Sequence, residues 1–211
     1  MSKLLYFIRH GTAVHNVKFH KIGAKAYVGK ENTDTSLTHI GESEATDLGN
    51  TWKDINDVDI VFTSSLRRTL QTSRNIFHKT NIPIIALDLI KEFPQGIETV
   101  NKRRNKKTIQ MEFPRIDFRS IYTEEDKLWR PNREESIEEL NGRIKDFLYF
   151  LSERPEKTIA IVNHSSFMGQ MLFNEIGNEQ NELRHCYPYK ALLENGELKV
   201  ISKQEKIEKD P

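Results

Sequence analysis

Arg9-His10-Gly11-Thr12 follows directly on the apolar run Leu4-Leu5-Tyr6-Phe7-Ile8. An imidazole therefore stands beside a fixed positive charge where a buried strand should end. In open α/β sheets, ligands bind outside the carboxyl ends of the strands. Arg9 offers a planar fork of donors suited to phosphate, and Gly11 allows the backbone to turn and approach a ligand closely. The chemistry this suggests is attack by His10 on a phosphoryl group. A bare Arg-His-Gly is a short pattern that arises by chance, so it needs support from elsewhere in the chain.

Three further segments supply it. Thr63-Ser64-Ser65-Leu66-Arg67-Arg68-Thr69 follows a second apolar run and opens a helix, whose N-terminus favours an anion. Arg67, on the first turn, is expected to reach that anion, and Arg68 to lie on a solvated face. Asn163-His164-Ser165-Ser166 follows a fourth run and brings a second histidine to a strand end. Glu92 lies in Lys91-Glu92-Phe93-Pro94-Gln95-Gly96 after the third. A carboxylic acid there can protonate the leaving oxygen of a phosphate ester. Two arginines and two histidines around one point match the several oxygens of a phosphoryl group.

These residues must be held by strands and helices that alternate. Leu4–Ile8, Val58–Phe62, Ile82–Leu87 and Thr158–Val162 read as strands buried on both faces. Glu42–Ile55, Leu66–His78, Asn132–Ser152 and Ser166–Ile176 read as helices. In the third of these, Ile137, Leu140, Ile144, Phe147, Leu148 and Leu151 form one apolar stripe, and Asn132 with Glu135 resembles a capping box. Asn195-Gly196 between Lys190–Glu194 and Glu197–Ile201 signals a terminal hairpin. The pattern predicts a three-layer α/β/α sandwich with a largely parallel sheet and an antiparallel edge. One domain should span 1–202. Residues 93–131, charged and broken by Pro94, Pro114 and Pro131, are expected to form a lid over the strand ends. Residues 203–211 read as a flexible tail.

Composition narrows the function classes. The 211 residues carry a net charge of +1, which argues against a dedicated nucleic-acid or polybasic membrane protein. The basic stretch Lys102-Arg103-Arg104 with Lys106 and Lys107 lacks the interleaved aromatics of a single-strand binder. Cys186 is the only cysteine, so no intrachain disulfide or multi-cysteine metal site can form. The first apolar run is too short for a signal-peptide core, and no run reaches transmembrane length. A cytoplasmic protein without nucleic-acid or membrane partners is the expectation.

The chain resembles the histidine phosphatase superfamily, the phosphoglycerate mutase-like proteins. The likeness rests on Arg9-His10-Gly11-Thr12, Asn16, Leu37-Thr38-His39-Ile40-Gly41-Glu42, Ser64-Ser65-Leu66-Arg67-Arg68-Thr69-Leu70-Gln71-Thr72 and Val162-Asn163-His164-Ser165. A closer likeness, to the plant and fungal phosphoglycerate mutase-like phosphatases, rests on Lys102-Arg103-Arg104, Phe113-Pro114-Arg115-Ile116-Asp117-Phe118, Asp126-Lys127-Leu128-Trp129 and Arg133-Glu134-Glu135-Ser136. It implies the phosphoglycerate mutase-like fold. It also implies that His10 is the nucleophile, forming a phosphohistidine, and that Arg9, Arg67 and His164 hold the phosphoryl oxygens. Glu92 would be the general acid, then the base for water, and Asn16 would touch phosphate or substrate. Asn163 and Ser165-Ser166 depart from the more usual serine or threonine before, and glycine pair after, the second histidine.

No metal or cofactor is expected, because the arginines neutralise charge. Hydrolysis of a small phosphorylated metabolite is favoured, since the Tyr-Gly that follows the acid in mutases is replaced by Gln95-Gly96. A phosphoglycerate mutase is the alternative, and a catalytically silent phospho-ligand module the third reading. Arg103 and Arg104 of the lid are expected to contact substrate.

Overall fold

The first apolar run is β1 (Lys3–Arg9), and it lies inside a seven-stranded sheet in the computed structural model, which describes residues 2–177 and 182–203. On one side β1 pairs in parallel with β5 (Thr158–Asn163). Beyond it come β2 (Ile60–Ser64), β3 (Ile84–Leu87) and the two-residue β4 (Ile116–Asp117), all parallel. On the other side β1 pairs antiparallel with β6 (Pro188–Glu194), which turns into β7 (Glu197–Val200). The turn residues Asn195 and Gly196 have φ of 52° and 82°, the left-handed pair that a tight hairpin requires. The hairpin and the antiparallel edge are as the sequence predicts.

The uninterrupted apolar runs arise because side chains alternate between two covered faces. Leu5 and Phe7 of β1, Ile159 and Ile161 of β5, and Ile60 and Phe62 of β2 enter one core. Tyr6 and Ile8, Ala160 and Val162, and Val61 enter the other. The first core is closed by α5 (Ile137–Ser152), through Leu140, Ile144, Phe147 and Leu151, and by α6 (Ser165–Phe173), through Phe167, Met168 and Leu172. The second is closed by α2 (His39–Thr51), through Ala45, and α3 (Arg67–Ile76), through Leu70 and Ile76. Each fully buried Leu or Phe contributes about 1.5–3 kcal/mol. The result is the three-layer sandwich.

Several boundaries differ from expectation. Val58 and Asp59 precede β2 rather than forming it. α5 is capped by Ser136, not Asn132. Ser136 accepts from the Glu139 amide, Glu139 reaches back to the Ser136 amide, and the stripe starts there. α1 (Val14–Ile22) was not foreseen. Within 93–131, α4 (Lys106–Glu112) packs Ile109 into the second core and β4 extends the sheet. That segment is therefore partly body of the fold. Of the expected tail, residues 204–211 lie outside the described residues.

Candidate active site

The parallel strands point their carboxyl ends to one side, and in the β1–β5 register Arg9 stands opposite Asn163. His10 and His164, each one residue further on, are thereby neighbours, with ring centroids 5.2 Å apart. The loop after β1 is pinned down. The His10 amide donates to the Asn163 carbonyl (3.0 Å), and the Gly11 amide to Thr72 Oγ1 (3.1 Å). The Thr12 amide and hydroxyl donate to the two carboxylate oxygens of Glu44 at 2.7 and 2.8 Å. Gly11 lies against Gly41 of α2. A Cβ on Gly11 would overlap the Gly41 carbonyl oxygen, and a Cβ on Gly41 the carbonyl oxygen of Thr12. Only glycine at both positions permits this approach.

His10 is buried. Its Nδ1 lies 2.7 Å from the Gly11 carbonyl, which can only accept, so the proton sits on Nδ1 and the lone pair on Nε2. Burial first, then the positive charge of Arg68 and further charges from His164, Arg9 and His185, holds its pKa well below the ordinary imidazole range. The His10 imidazole is thus neutral at physiological pH, with the free lone pair that a nucleophile would need.

A cavity of about 850 Å³ opens beside it, and Arg9, His10, Asn16 and Glu92 line it. Arg9 donates through Nη1 to the Leu183 carbonyl (2.7 Å) and through Nη2 to Glu182 (3.0 Å). Its Nε is buried and has no partner in the described structure. Asn16 Oδ1 accepts from the Ala13 amide (2.9 Å), which sets the start of α1, and its NH2 end remains as a donor for the cleft.

The expected arginine is corrected by one position. Arg67 is half-buried, pairs with Glu112 of α4 (2.6 Å) and does not line the cavity. Arg68 is buried and does line it. Its Nη atoms donate to the Val100 carbonyl (3.0 Å) and to Asn101 (2.9 Å), and its Nε is without a partner in the described structure. The physical reason is helical register. Thr72, one turn after Arg68, faces Gly11, so position 68, not 67, lies on the stripe beside the first loop.

His164 is fully buried behind His10 rather than on the cavity wall. Its Nε2 lies 2.8 Å from Ser64 Oγ, and its Nδ1 is partnerless in the described structure. Arg9 Nε and Arg68 Nε are orphaned buried donors near His10, and an anion is what would satisfy them.

Glu92 meets the amino end of α6. Oε1 accepts from the Phe93 and Phe167 amides at 2.8 and 3.1 Å, and Oε2 from the Ser166 amide at 3.3 Å. Burial raises its pKa against those amides and Arg68, so it holds a proton to higher pH than an ordinary glutamate. Oε2, with the single long contact, is the oxygen suited to carry that proton.

The lid arginines do not reach the cavity. Arg103 is buried, pairs with Asp88 (2.9 Å) and donates to the carbonyls of Arg104, Thr123 and Glu124. Arg104 gives its backbone amide to Asp34, and its side chain is not among the lining. Unforeseen lining residues include His15, His185 and Glu98. His185 Nδ1 donates to the His10 carbonyl (2.5 Å), and burial pushes Glu98 up to about 7. Adjacency to Asn16 could have flagged His15. Neither His185 nor Glu98 carries a local signal.

The family model for the histidine phosphatase superfamily (branch 1) matches residues 5–202. The chain belongs to this superfamily. Among its relatives is phosphoglycerate mutase-like protein 1 of Arabidopsis thaliana, 32% identical over 220 residues, covering 88% of this chain and 74% of that one. Phosphomutase-like protein 3 of Candida albicans is 32% identical over 189 residues, covering 79% and 58%. Solved histidine phosphatase structures share the fold. The alpha-ribazole phosphatase of Shigella flexneri superposes with a TM-score of 0.64 at 19% identity, covering 99% and 100% of the two chains. The phosphoglycerate mutase of Bacillus anthracis does so with 0.65 at 17% identity, covering 97% and 93%. Members of this family are phosphatases or mutases. Among the described residues, no helix is long and apolar enough to cross a membrane.

Proposed function

We propose that the protein is a metal-independent phosphomonoesterase that hydrolyses a small phosphorylated metabolite through a phosphohistidine. The observation that carries this reading is the lone pair of neutral His10 Nε2 beside two orphaned arginine donors and a carboxyl of raised pKa. Nε2 attacks phosphorus. The P–O bond breaks, and its electron pair leaves with the oxygen, which takes the proton from Glu92. Water then attacks phosphorus and gives a proton to the Glu92 carboxylate, and the P–N pair returns to Nε2. Arg9 and Arg68 hold the phosphoryl oxygens, His164 backs His10, and Asn16 contacts phosphate or substrate. Hydrolysis is favoured over mutase chemistry because, among the described residues, the cavity lining holds no lysine and no arginine besides Arg9 and Arg68. A cytoplasmic setting belongs to the same reading, supported by the single cysteine.

The test is turnover with correctly folded variants. His10→Ala should abolish hydrolysis of p-nitrophenyl phosphate and the acid-labile phosphoenzyme, with an unchanged circular dichroism spectrum. Glu92→Gln should slow alkyl phosphates by about 10²–10⁴-fold and p-nitrophenyl phosphate far less. Turnover should survive EDTA. Retained activity in His10→Ala, or equal losses for both substrates in Glu92→Gln, would overturn the assignment.

A further inference from the structure

The phosphate end of the cavity accounts for only part of its lining. Much of the remainder is aromatic and apolar, alongside Glu98, Glu182, Asn101 and histidines. α1 turns Phe19 towards the cleft one turn after His15. Tyr27 stacks on Phe19 with ring centroids 5.2 Å apart and planes 14° from parallel, and His15 meets Tyr27 edge-on at 5.9 Å. Phe93, from the loop after β3, and Ile176, after α6, add apolar surface from other elements. A rigid aromatic pair offers a flat surface for another planar group at little cost in side-chain entropy.

Among the described residues, the lining beyond Arg9 and Arg68 holds no lysine or arginine. Glu98 and Glu182 line the same cavity, and Glu182 is engaged by Arg9. The basic residues of 102–104 face elsewhere. Lys102 lies over the Trp129 ring at 4.5 Å, and Arg103 is consumed by Asp88 and backbone carbonyls. Among the described lining residues, a leaving group with its own carboxylate or second phosphate would find Glu98 and Glu182 and no lysine or arginine beyond the phosphate end. Like charges brought together in a desolvated site cost several kcal/mol.

We propose that the aromatic wall of Phe19 and Tyr27, with Phe93, is a leaving-group subsite that selects phosphomonoesters of planar, apolar alcohols carrying no second anion. This rests on the phosphomonoesterase reading and adds the substrate class. It predicts poor use of glycerate phosphates and bisphosphates, despite the mutase-like names of the relatives.

Two phosphonates of equal tether length test it by calorimetry on the intact protein: 3-phenylpropylphosphonate and 3-carboxypropylphosphonate. The phenyl compound should bind at least about tenfold more tightly. Phe19→Ala should cut that ratio to about a third or less. Phe93→Ala, from a different element, serves the same purpose where Phe19→Ala does not fold. Equal affinity, tighter binding of the carboxylate, or a ratio untouched by either variant overturns the subsite. The corresponding phosphate esters separate the two claims. Binding preference without any turnover overturns the phosphatase reading alone. Turnover without preference overturns the substrate class alone.

Discussion

At the scale of single residues, Arg67 and Arg68 are chemically identical and placed in opposite environments. Arg67 engages its guanidinium with Glu112 near the surface, while Arg68 brings a buried charge to His10. Arg68→Ala should reduce kcat/KM for p-nitrophenyl phosphate by 10²-fold or more, because a preorganised donor to the phosphoryl oxygens is lost. Arg67→Ala should change it less than about threefold. Steady-state kinetics on the two variants checks this, and the reverse order would restore the sequence-based assignment. His10, His164, Arg9 and Glu92 were legible in the sequence because each ends, or closely follows, an apolar run. Choosing between adjacent arginines needs the rotation of α3, since neighbouring helical residues point about 100° apart. The first turn has no side-chain cap to mark it, for its N-cap is Leu66.

At the scale of elements, the loop that carries Glu92 is held from below by α5. Arg143 forms a bidentate pair with Glu135 at 2.6 and 2.7 Å and donates to the carbonyls of Leu89 and Lys91 at 2.9 and 2.8 Å. Both side chains are buried. Arg143→Met should destabilise the fold by about 3–5 kcal/mol, since it strands a buried carboxylate. Adding Glu135→Leu should recover part of that loss. Urea unfolding of both variants measures the difference. The same pair explains why the start of α5 was misread. Asn132-x-x-Glu135 and Ser136-x-x-Glu139 are equivalent capping patterns in sequence, and only the burial of Glu135 against Arg143 separates them. α1 escaped notice because its cleft-facing side is His15, Asn16 and Phe19, with no apolar stripe to announce it. β1, β5, α5 beyond its first turn and the terminal hairpin were readable because their burial is nearly complete or their turn chemistry is unambiguous.

At the scale of the whole molecule, the site is linked to stability through Asp34. This fully buried carboxylate accepts from the Arg67 amide at 2.7 Å and from the Arg104 amide at 3.4 Å, joining α3 to the lid segment. Burial raises its pKa from 3.8 to about 6. The native state therefore holds a proton between pH 4 and 6 that the unfolded chain has released, and stability contributed by this group falls as pH rises through that window. The cost on the alkaline side is about 3 kcal/mol. Asp34→Asn keeps an acceptor and removes the titration. Its stability relative to the parent should thus rise by that order between pH 4 and pH 8. Denaturation at both pH values reads it, and a pH-independent difference would refute the linkage.

The contact between Gly11 and Gly41 has a consequence for how this sequence can change. Each position presses on the other's peptide backbone or its immediate neighbour, Thr12, rather than on a side chain. A side chain introduced at one cannot be accommodated by shrinking its partner, which is already as small as residues come. The pair is a dead end for compensatory substitution. In a saturation library selected for activity, both sites should retain only glycine, singly and in every double combination.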